Sequence, residues 1–459
     1  MRDLFDRTRP GNVAETFRTM LPLLMMAAAG AINAVTDRFF LARFSDTAVG
    51  AVVPAGVLVG TLSCFFLATA GYSSTFVAHA FGRGDREGTG RALFHGLVLA
   101  LVFVPFILLA IPVGHVLLAR SGHAAELVAA ERAYFDITMP AAILQVFAGV
   151  LGGYFNGLGR TSIAGLAGVA GCLVNLALDP LFIFTFDGGV VGAAWASVAG
   201  SAATCLCLCS AFIRTARVFA GGHRPAVDTV LLLRIFRTGA PTGIMNLFGA
   251  GVFTVFVMAT GRLDALSLAV SNIAFGVNKV FYVAVSGLRD GATVLSGQYF
   301  GRGDSAAVKR VYASAVLLAV AAAVLVGGGA VALSGEIAGI FRAADSSFDP
   351  AAFRSTLTAV LGVMALRMLA EALVEPSVGI AKGIGDTTFA MFARMASGIF
   401  VWLPLIWLVS ATSATIAGFW LTMPVHLFAT AAILFLRFKT IARNASPLSF
   451  PISRKSPVF

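Results

Sequence analysis

Five residues that together offer an oxygen-rich ligand set lie in apolar stretches, where polar side chains are costly. They are Asp37, Asn175, Asp179, Ala193 and Ser197. Residues four positions apart share one face of a helix, so Asn175 lies beside Asp179, and Ala193 beside Ser197. Two carboxylates, an amide oxygen and a hydroxyl suit a hard cation such as Na⁺. The sequence therefore predicts a possible Na⁺ site at Asp37, Asn175 and Asp179.

The same acids also predict a proton site. Two neighbouring carboxylates in a medium of low dielectric cannot both be charged cheaply, so one of them can bind a proton. A third interpretation is a buried polar network in which Arg38 neutralises Asp37. The sequence leaves H⁺ and Na⁺ open as the bound ion and predicts no other cofactor and no catalytic residue.

Long apolar helices must position these residues. The chain has 459 residues, of which 58% are hydrophobic and 12% charged, about half the charged share of a soluble domain. Apolar runs of about 20 residues, the length that crosses a bilayer, recur throughout. We count twelve such spans, near 19–42, 48–80, 92–119, 128–155, 161–185, 189–213, 236–260, 265–298, 310–334, 354–381, 388–409 and 412–436. The sequence predicts an all-α polytopic protein in the lipid bilayer.

Arginine and lysine residues are distributed unevenly between the gaps that separate the spans. One alternate set of gaps, which includes the N-terminus and the C-terminal tail, holds most of them. The positive-inside rule places that set in the cytoplasm. We therefore expect a multi-pass protein of the cell (inner or plasma) membrane with both termini cytoplasmic. The net charge of +11 resides in these gaps rather than on one helix face, so nucleic-acid binding is not expected.

The sequence contains an internal repeat. FGRGD occurs at 81–85 and again at 300–304, and GLGRTS at 157–162 resembles GIGDTT at 383–388. Pro22 then aligns with Pro241. Each copy has six spans, an even number, so both copies enter the membrane in the same sense. We predict two six-helix bundles related by a pseudo-twofold axis along the membrane normal.

The repeat divides the chain into five predicted segments. They are a cytoplasmic N-terminus at 1–14, an N-terminal lobe at 15–215, a cytoplasmic linker at 216–234, a C-terminal lobe at 235–437 and a cytoplasmic tail at 438–459.

The repeat also tests whether the fold needs the two intramembrane acids, because Asp37 aligns with Phe256 and Asp179 with Leu403. Acids that only one copy possesses are not needed by the architecture, which favours a role in binding an ion.

The second copy has its own intramembrane charges. They are Lys279, Arg289, Asp290, Arg367, Glu371 and Glu375. Arg367, Glu371 and Glu375 are spaced by four and share a helix face. Two interpretations stay open for this group: an ion-pair network that fixes helix packing, and a contact with substrate or a second ion.

The order of these motifs resembles the multidrug and toxic compound extrusion (MATE) family over about residues 15–437. The resemblance rests on Pro22 and Asp37, the FGRGD turns, FNGLGRTS at 155–162, NLALDPLFIF at 175–184, GVVGAAWAS at 189–197 and RTGAPTG at 237–243. It implies two six-helix bundles and antiport of H⁺ or Na⁺ against small organic compounds, often cationic and amphipathic.

The resemblance also implies residue roles. Asp37, Asn175 and Asp179 match the family's cation site in the first lobe, Ala193 would add a backbone carbonyl, and Ser197 stands where threonine is common. Pro22 matches a proline at which the first span bends. The seventh span lacks the acid found in one branch of the family, which points to the DinF-like branch.

Two other functions fit the sequence less well. A flippase for lipid-linked precursors, from the same superfamily, would need a cationic central groove, and few arginines lie centrally. An intramembrane enzyme would need a nucleophile and base at one depth, and the sequence has no such pair. We expect a multidrug efflux antiporter that works as a monomer.

Overall fold

The computed structural model describes residues 2–216, 226–261, 263–341, 348–412 and 415–443. Within these ranges the chain is helical and has no β-strand. Residues 217–225, nearly half of the predicted linker, and the predicted tail beyond residue 443 lie outside the described residues.

Twelve helices in the described ranges are long and apolar enough to cross a membrane, which confirms the all-α, twelve-span prediction. We number them spans 1 to 12. Their bounds are Val13–Phe44; Asp46–Gly71 with Ser73–Gly82; Arg86–Ala119; Ala125–Gly157; Thr161–Pro180 with Leu181–Thr185; Gly189–Ala216; Thr229–Thr260; Ala265–Gly301; Ser305–Ala323 with Val324–Gly328 and Gly329–Ala332; Pro350–Ile384; Thr387–Ser397 with Gly398–Trp402 and Leu403–Thr412; and Ile416–Arg443. Two short helices, Arg2–Phe5 and Ser334–Phe341, stand outside the spans.

Three spans contain a π-helical turn. These turns are Leu181–Thr185 in span 5, Val324–Gly328 in span 9 and Gly398–Trp402 in span 11. A π turn adds one residue to the helical register and is frequent at functional sites. The turn in span 5 follows directly after Asp179 and Pro180, so the register of the helix changes beside a predicted site residue.

Both FGRGD sequences form the same turn. Gly84 has a φ of +76° and Gly303 a φ of +77°, a left-handed conformation that favours glycine. The aspartate that follows each glycine, Asp85 or Asp304, caps the next helix by accepting a hydrogen bond from its backbone. The repeated pentapeptide thus ends one span and starts the next.

The chain divides into two compact units. One unit is Leu21–Leu247, and the other combines Met1–Met20 with Phe248–Phe459. The core of the first unit includes the fully buried side chains of Phe135 and Phe155. The divisions fall inside spans 1 and 7. The compact units are defined by packing and the predicted lobes by the sequence repeat, so their boundaries differ. The predicted lobe bounds stay a prediction.

Candidate cation site

Asp37 lies in the second half of span 1 and is buried. Arg38, the neighbour that was considered as its neutralising partner, has an exposed side chain. The polar side chains that lie near Asp37 are those of Asp179, Asn175 and Ser197. Spans 1, 5 and 6 therefore bring the predicted residues together in one unit.

Close packing of spans 5 and 6 positions Asn175. A Cβ atom on Gly200 would lie 2.8 Å from the carbonyl oxygen of Gly171 and 3.0 Å from the Cβ of Asn175. Contacts this short leave no room for a side chain at Gly200. The two helices thus approach closely, and Asn175 and Asp179 project from span 5 one turn apart.

Two long hydrogen bonds connect the site. The Ser197 hydroxyl donates to Asp37 Oδ2 over 3.5 Å, and Asn175 Nδ2 donates to Asp179 Oδ1 over 3.5 Å. These distances are at the outer limit of a hydrogen bond. The carboxylates are therefore weakly held, and their remaining oxygens can turn towards a bound ion.

Three acceptor atoms in the site are buried and have no hydrogen-bond partner among the residues that the structure describes: Asp37 Oδ1, Asp179 Oδ2 and Asn175 Oδ1. Asn33, one helical turn before Asp37, also has a buried side-chain oxygen without a hydrogen-bond partner in the described part of the chain. An unpaired buried acceptor costs free energy, and an unpaired buried carboxylate costs more. A proton shared by the two acids, or a cation held by the oxygens, would remove that cost.

The chemistry of this donor set fits a hard ion. All four side chains predicted as ligands offer oxygen, the donor that Na⁺ and similar cations take. In the described part of the chain, no group of three or more His, Cys, Asp or Glu residues is arranged to hold a metal ion. The amide and hydroxyl oxygens would therefore have to complete a shell around the two carboxylates.

Tyr134 is a site residue that sequence reasoning missed. It lies in span 4 and is buried, and its hydroxyl lies near Ser197 and the two acids. No spacing rule connects span 4 to spans 1 and 5, so only tertiary packing shows this neighbour. Ala193 is fully buried one turn before Ser197, and its role as a carbonyl ligand stays a prediction.

Pro22 lies within the helix of span 1. A Cβ on Gly165 of span 5 would lie 2.6 Å from the Pro22 carbonyl oxygen, and one on Gly168 would lie 2.8 Å from Met26 Cγ. Span 1 therefore packs closely against span 5 around Pro22. Proline has no N–H to donate to the carbonyl four residues earlier, which weakens the helix there.

An aromatic core occupies the position of the second copy that matches Asp37. Phe256 is fully buried, and its ring centroid lies 5.9 Å from that of Trp420 and 6.2 Å from those of Trp402 and Phe275. Such rings stabilise the second copy without any charge at this position. The contrast with the polar first copy supports an ion-binding role for Asp37.

Most of the predicted charges of the second copy form ion pairs, in which the glutamates are buried and the arginines are partly buried. Arg289 and Arg394 each place a guanidinium nitrogen 3.0 Å from Glu375, and Arg289 also lies 3.0 Å from Asp290. Glu375 accepts a hydrogen bond from each arginine, so both of its oxygens are used. Arg394 is not among the predicted site residues, although it lies within the predicted span at 388–409.

A second pair lies four residues earlier in span 10. Arg367 is 3.1 Å from Glu371 and also donates to the side chain of Asn278. Lys279 follows Asn278 in span 8 and is exposed. The ion pairs favour the structural interpretation of this group, while a role in substrate or ion contact stays a prediction.

Comparisons with known proteins agree with this architecture. A family model described as MatE matches residues 22–181 and 241–408, one stretch in each half of the predicted repeat. A probable multidrug resistance protein NorM of Bradyrhizobium diazoefficiens is 28% identical over 443 residues, covering 94% of each chain. A protein of the same name from Rhizobium meliloti is 27% identical over 439 residues, covering 91% of this chain and 90% of the relative.

Solved structures have the same fold. The outward-facing conformation of a multidrug resistance MATE family transporter of the MOP superfamily superposes with a TM-score of 0.83 at 20% identity, covering 94% of this chain and 96% of that one. A MOP superfamily transporter from Pyrococcus furiosus superposes with a TM-score of 0.83 at 19% identity, with the same coverage of both chains. At these identities the likeness shows the fold alone.

Proposed function

Because the chain belongs to the MatE family, we propose that it is a secondary-active multidrug efflux antiporter that exchanges H⁺ or Na⁺ for organic, often cationic and amphipathic compounds. One observation carries the proposal: Asp37 and Asp179 are buried together in one half of a duplicated chain, while the other half has apolar residues at the aligned positions. Relatives named multidrug resistance proteins support the choice of substrate class.

The energetics of the buried acids supply the coupling. Without an ion, two carboxylates with unpaired oxygens are costly inside the protein. An ion that neutralises them favours the arrangement in which spans 1, 5 and 6 close around it. The ion shifts the equilibrium only as far as its affinities for the two arrangements differ. Span 1 can change shape at Pro22, which links ion binding to release of the exported compound.

The finer assignments belong to this proposal. The distribution of arginine and lysine supports an inner or plasma membrane location with both termini in the cytoplasm. Span 7, Thr229–Thr260, has no Asp or Glu, which supports the DinF-like branch with coupling in the first half. We propose that the protein works as a monomer and takes no cofactor besides the coupling ion.

The rival proposal, a lipid-linked precursor flippase, would need free cationic side chains for a pyrophosphate. Arg289 and Arg394 are the obvious candidates in the second half, but Glu375 pairs with both. Pairing reduces the positive charge that they offer to an anion. The ion pairs therefore favour export of organic cations over movement of a pyrophosphate-linked lipid.

Export from proteoliposomes tests the proposal. Purified protein is reconstituted with ethidium, a flat organic cation, and a pH gradient or a Na⁺ gradient is imposed separately. We expect one of the two gradients to accelerate ethidium export well above that of protein-free liposomes. If neither gradient does so, and a fluorescent pyrophosphate-linked lipid crosses the bilayer instead, the antiporter proposal is wrong and the flippase is favoured.

A further inference from the structure

Glu15, in the first turn of span 1, is held on both carboxylate oxygens. The Tyr299 hydroxyl of span 8 donates to Glu15 Oε1 over 2.5 Å, although 284 positions separate the two residues. The Gly11 N–H donates to Glu15 Oε2 over 2.6 Å. Hydrogen bonds to a charged acceptor are among the stronger ones in proteins. Glu15 therefore connects the chain before span 1 to the end of span 8.

Span 9 fastens the same stretch of chain from another side. Arg310 Nε donates to the Pro10 carbonyl over 2.6 Å, and the buried Ser314 hydroxyl donates to the Gly11 carbonyl over 3.0 Å. We call residues 10–15 the clasp. Its contacts use backbone and side-chain groups of two different spans, so its position is defined in three dimensions.

Gly11 allows the clasp to lie close to span 9. Its φ is +79°, and a Cβ there would lie 2.7 Å from the carbonyl oxygen of Ala307. Any other residue would be strained by its backbone conformation and would also push the clasp away from span 9. The close approach is thus built into the chain at one position.

The clasp and the acid belong to different parts of one helix. Span 1 runs without interruption from Val13 to Phe44, but the division between compact units falls between Met20 and Leu21. Pro22, the weak point of the helix, follows this division by one residue. Span 1 therefore has a fastened start, a proline immediately after it, and Asp37 four turns further on.

We propose that Glu15 is a positioning residue for transport, which holds the start of span 1 so that the helix bends at Pro22 when an ion binds Asp37. This role rests on the antiport function proposed above. A helix with a free start would respond to ion binding by sliding or turning as a whole. A fastened start confines the change to the proline, so ion binding and the bend become one event.

A single hydroxyl provides the test. Tyr299→Phe removes the donor to Glu15, and Tyr312→Phe is the matched control, because its hydroxyl contacts Ser377 of span 10 and not the clasp. Two quantities are measured: hydrogen exchange of the backbone amides at 11–19, and the number of ethidium molecules exported per coupling ion. Glu15→Gln, which presents an N–H group to one of the two donors, is measured alongside.

We expect Tyr299→Phe and Glu15→Gln to accelerate exchange at 11–19 by about tenfold, the value for one hydrogen bond to a charged group. We also expect both variants to export severalfold less ethidium per ion, while Tyr312→Phe behaves as the wild type. If exchange accelerates and the ratio stays constant, the clasp is only structural and the positioning role is wrong. If the wild type exports no ethidium in either gradient, the proposed antiport function itself is wrong.

Discussion

The Ser197 hydroxyl lies 3.5 Å from Asp37 Oδ2, across 160 positions of sequence. This contact connects span 6 to span 1 and leaves the other oxygen of Asp37 buried without a partner. The hydroxyl thus orients the carboxylate without satisfying it. An ion that enters the site would find one oriented acid and, in span 5, a second acid oriented by Asn175.

Ser197→Ala should weaken the binding of the coupling ion. The variant removes a long hydrogen bond, worth about 0.5–1.5 kcal/mol, which corresponds to about two- to tenfold in affinity. Ser197→Thr keeps the hydroxyl and should stay close to wild type. The measurement is the ion concentration that gives half-maximal ethidium export. Equal values for the alanine and threonine variants would exclude the hydroxyl from the site.

Gly171→Ala should push spans 5 and 6 apart and disturb Asn175. The new Cβ would lie 2.6 Å from the Gly200 carbonyl oxygen, and overpacking of this kind costs about 1–3 kcal/mol. Gly56→Ala in span 2 is the control, because no atom lies within 4 Å of its Cβ position. Thermal unfolding in detergent should show a lower midpoint for the first variant only. A midpoint equal to that of Gly56→Ala would contradict the described packing.

Pro22→Ala should raise the stability of the protein and lower its rate of transport. Alanine restores a backbone donor inside the helix, and an interior proline costs about 3 kcal/mol relative to alanine. A straighter span 1 should then resist bending, so turnover falls while the affinity for the ion stays constant. Melting temperature and initial export rate are measured on the same preparation. Unchanged turnover in a stabilised protein would show that span 1 need not bend at Pro22.

Glu375→Ala should destabilise the second half strongly. It leaves the partly buried Arg289 and Arg394 without their shared partner, although Arg289 keeps its contact with Asp290. Breaking a fully buried ion pair costs about 3–5 kcal/mol, which is the upper limit here. Glu87→Ala is the control, since Glu87 is 81% exposed and lies 3.8 Å from Arg91, a surface pair worth about 0–1 kcal/mol. Thermal unfolding distinguishes the two. If Glu375→Ala melts like the wild type but exports no ethidium, Glu375 contacts substrate or ion instead.

Local periodicity allowed much of the molecule to be predicted. The length of the apolar runs gave twelve helices, and spacing by four put Asn175 beside Asp179 in span 5. The repeat aligned Phe256 of the second copy with Asp37 of the first, and the structure shows an aromatic core around Phe256. These inferences succeed because helix pitch and membrane thickness act on each span separately.

Contacts between distant spans could not be predicted in the same way. Tyr134 lies near the site because span 4 packs beside span 6. Glu15 meets Tyr299 across nearly two thirds of the chain. No pattern within either segment encodes such a meeting. Nor does the sequence show that the long side chain of Arg394 in span 11 extends to the buried Glu375 of span 10.

Gradient-driven ethidium export by Asp37→Asn and Asp179→Asn tests the central claim most directly. Asp187→Asn is the matched control, because Asp187 is exposed beyond span 5 and its φ of 50° suits asparagine. We predict that the first two variants export ethidium no faster than protein-free liposomes, while Asp187→Asn exports at the wild-type rate. Wild-type export by both Asp37→Asn and Asp179→Asn would contradict the claim that these carboxylates bind the coupling ion.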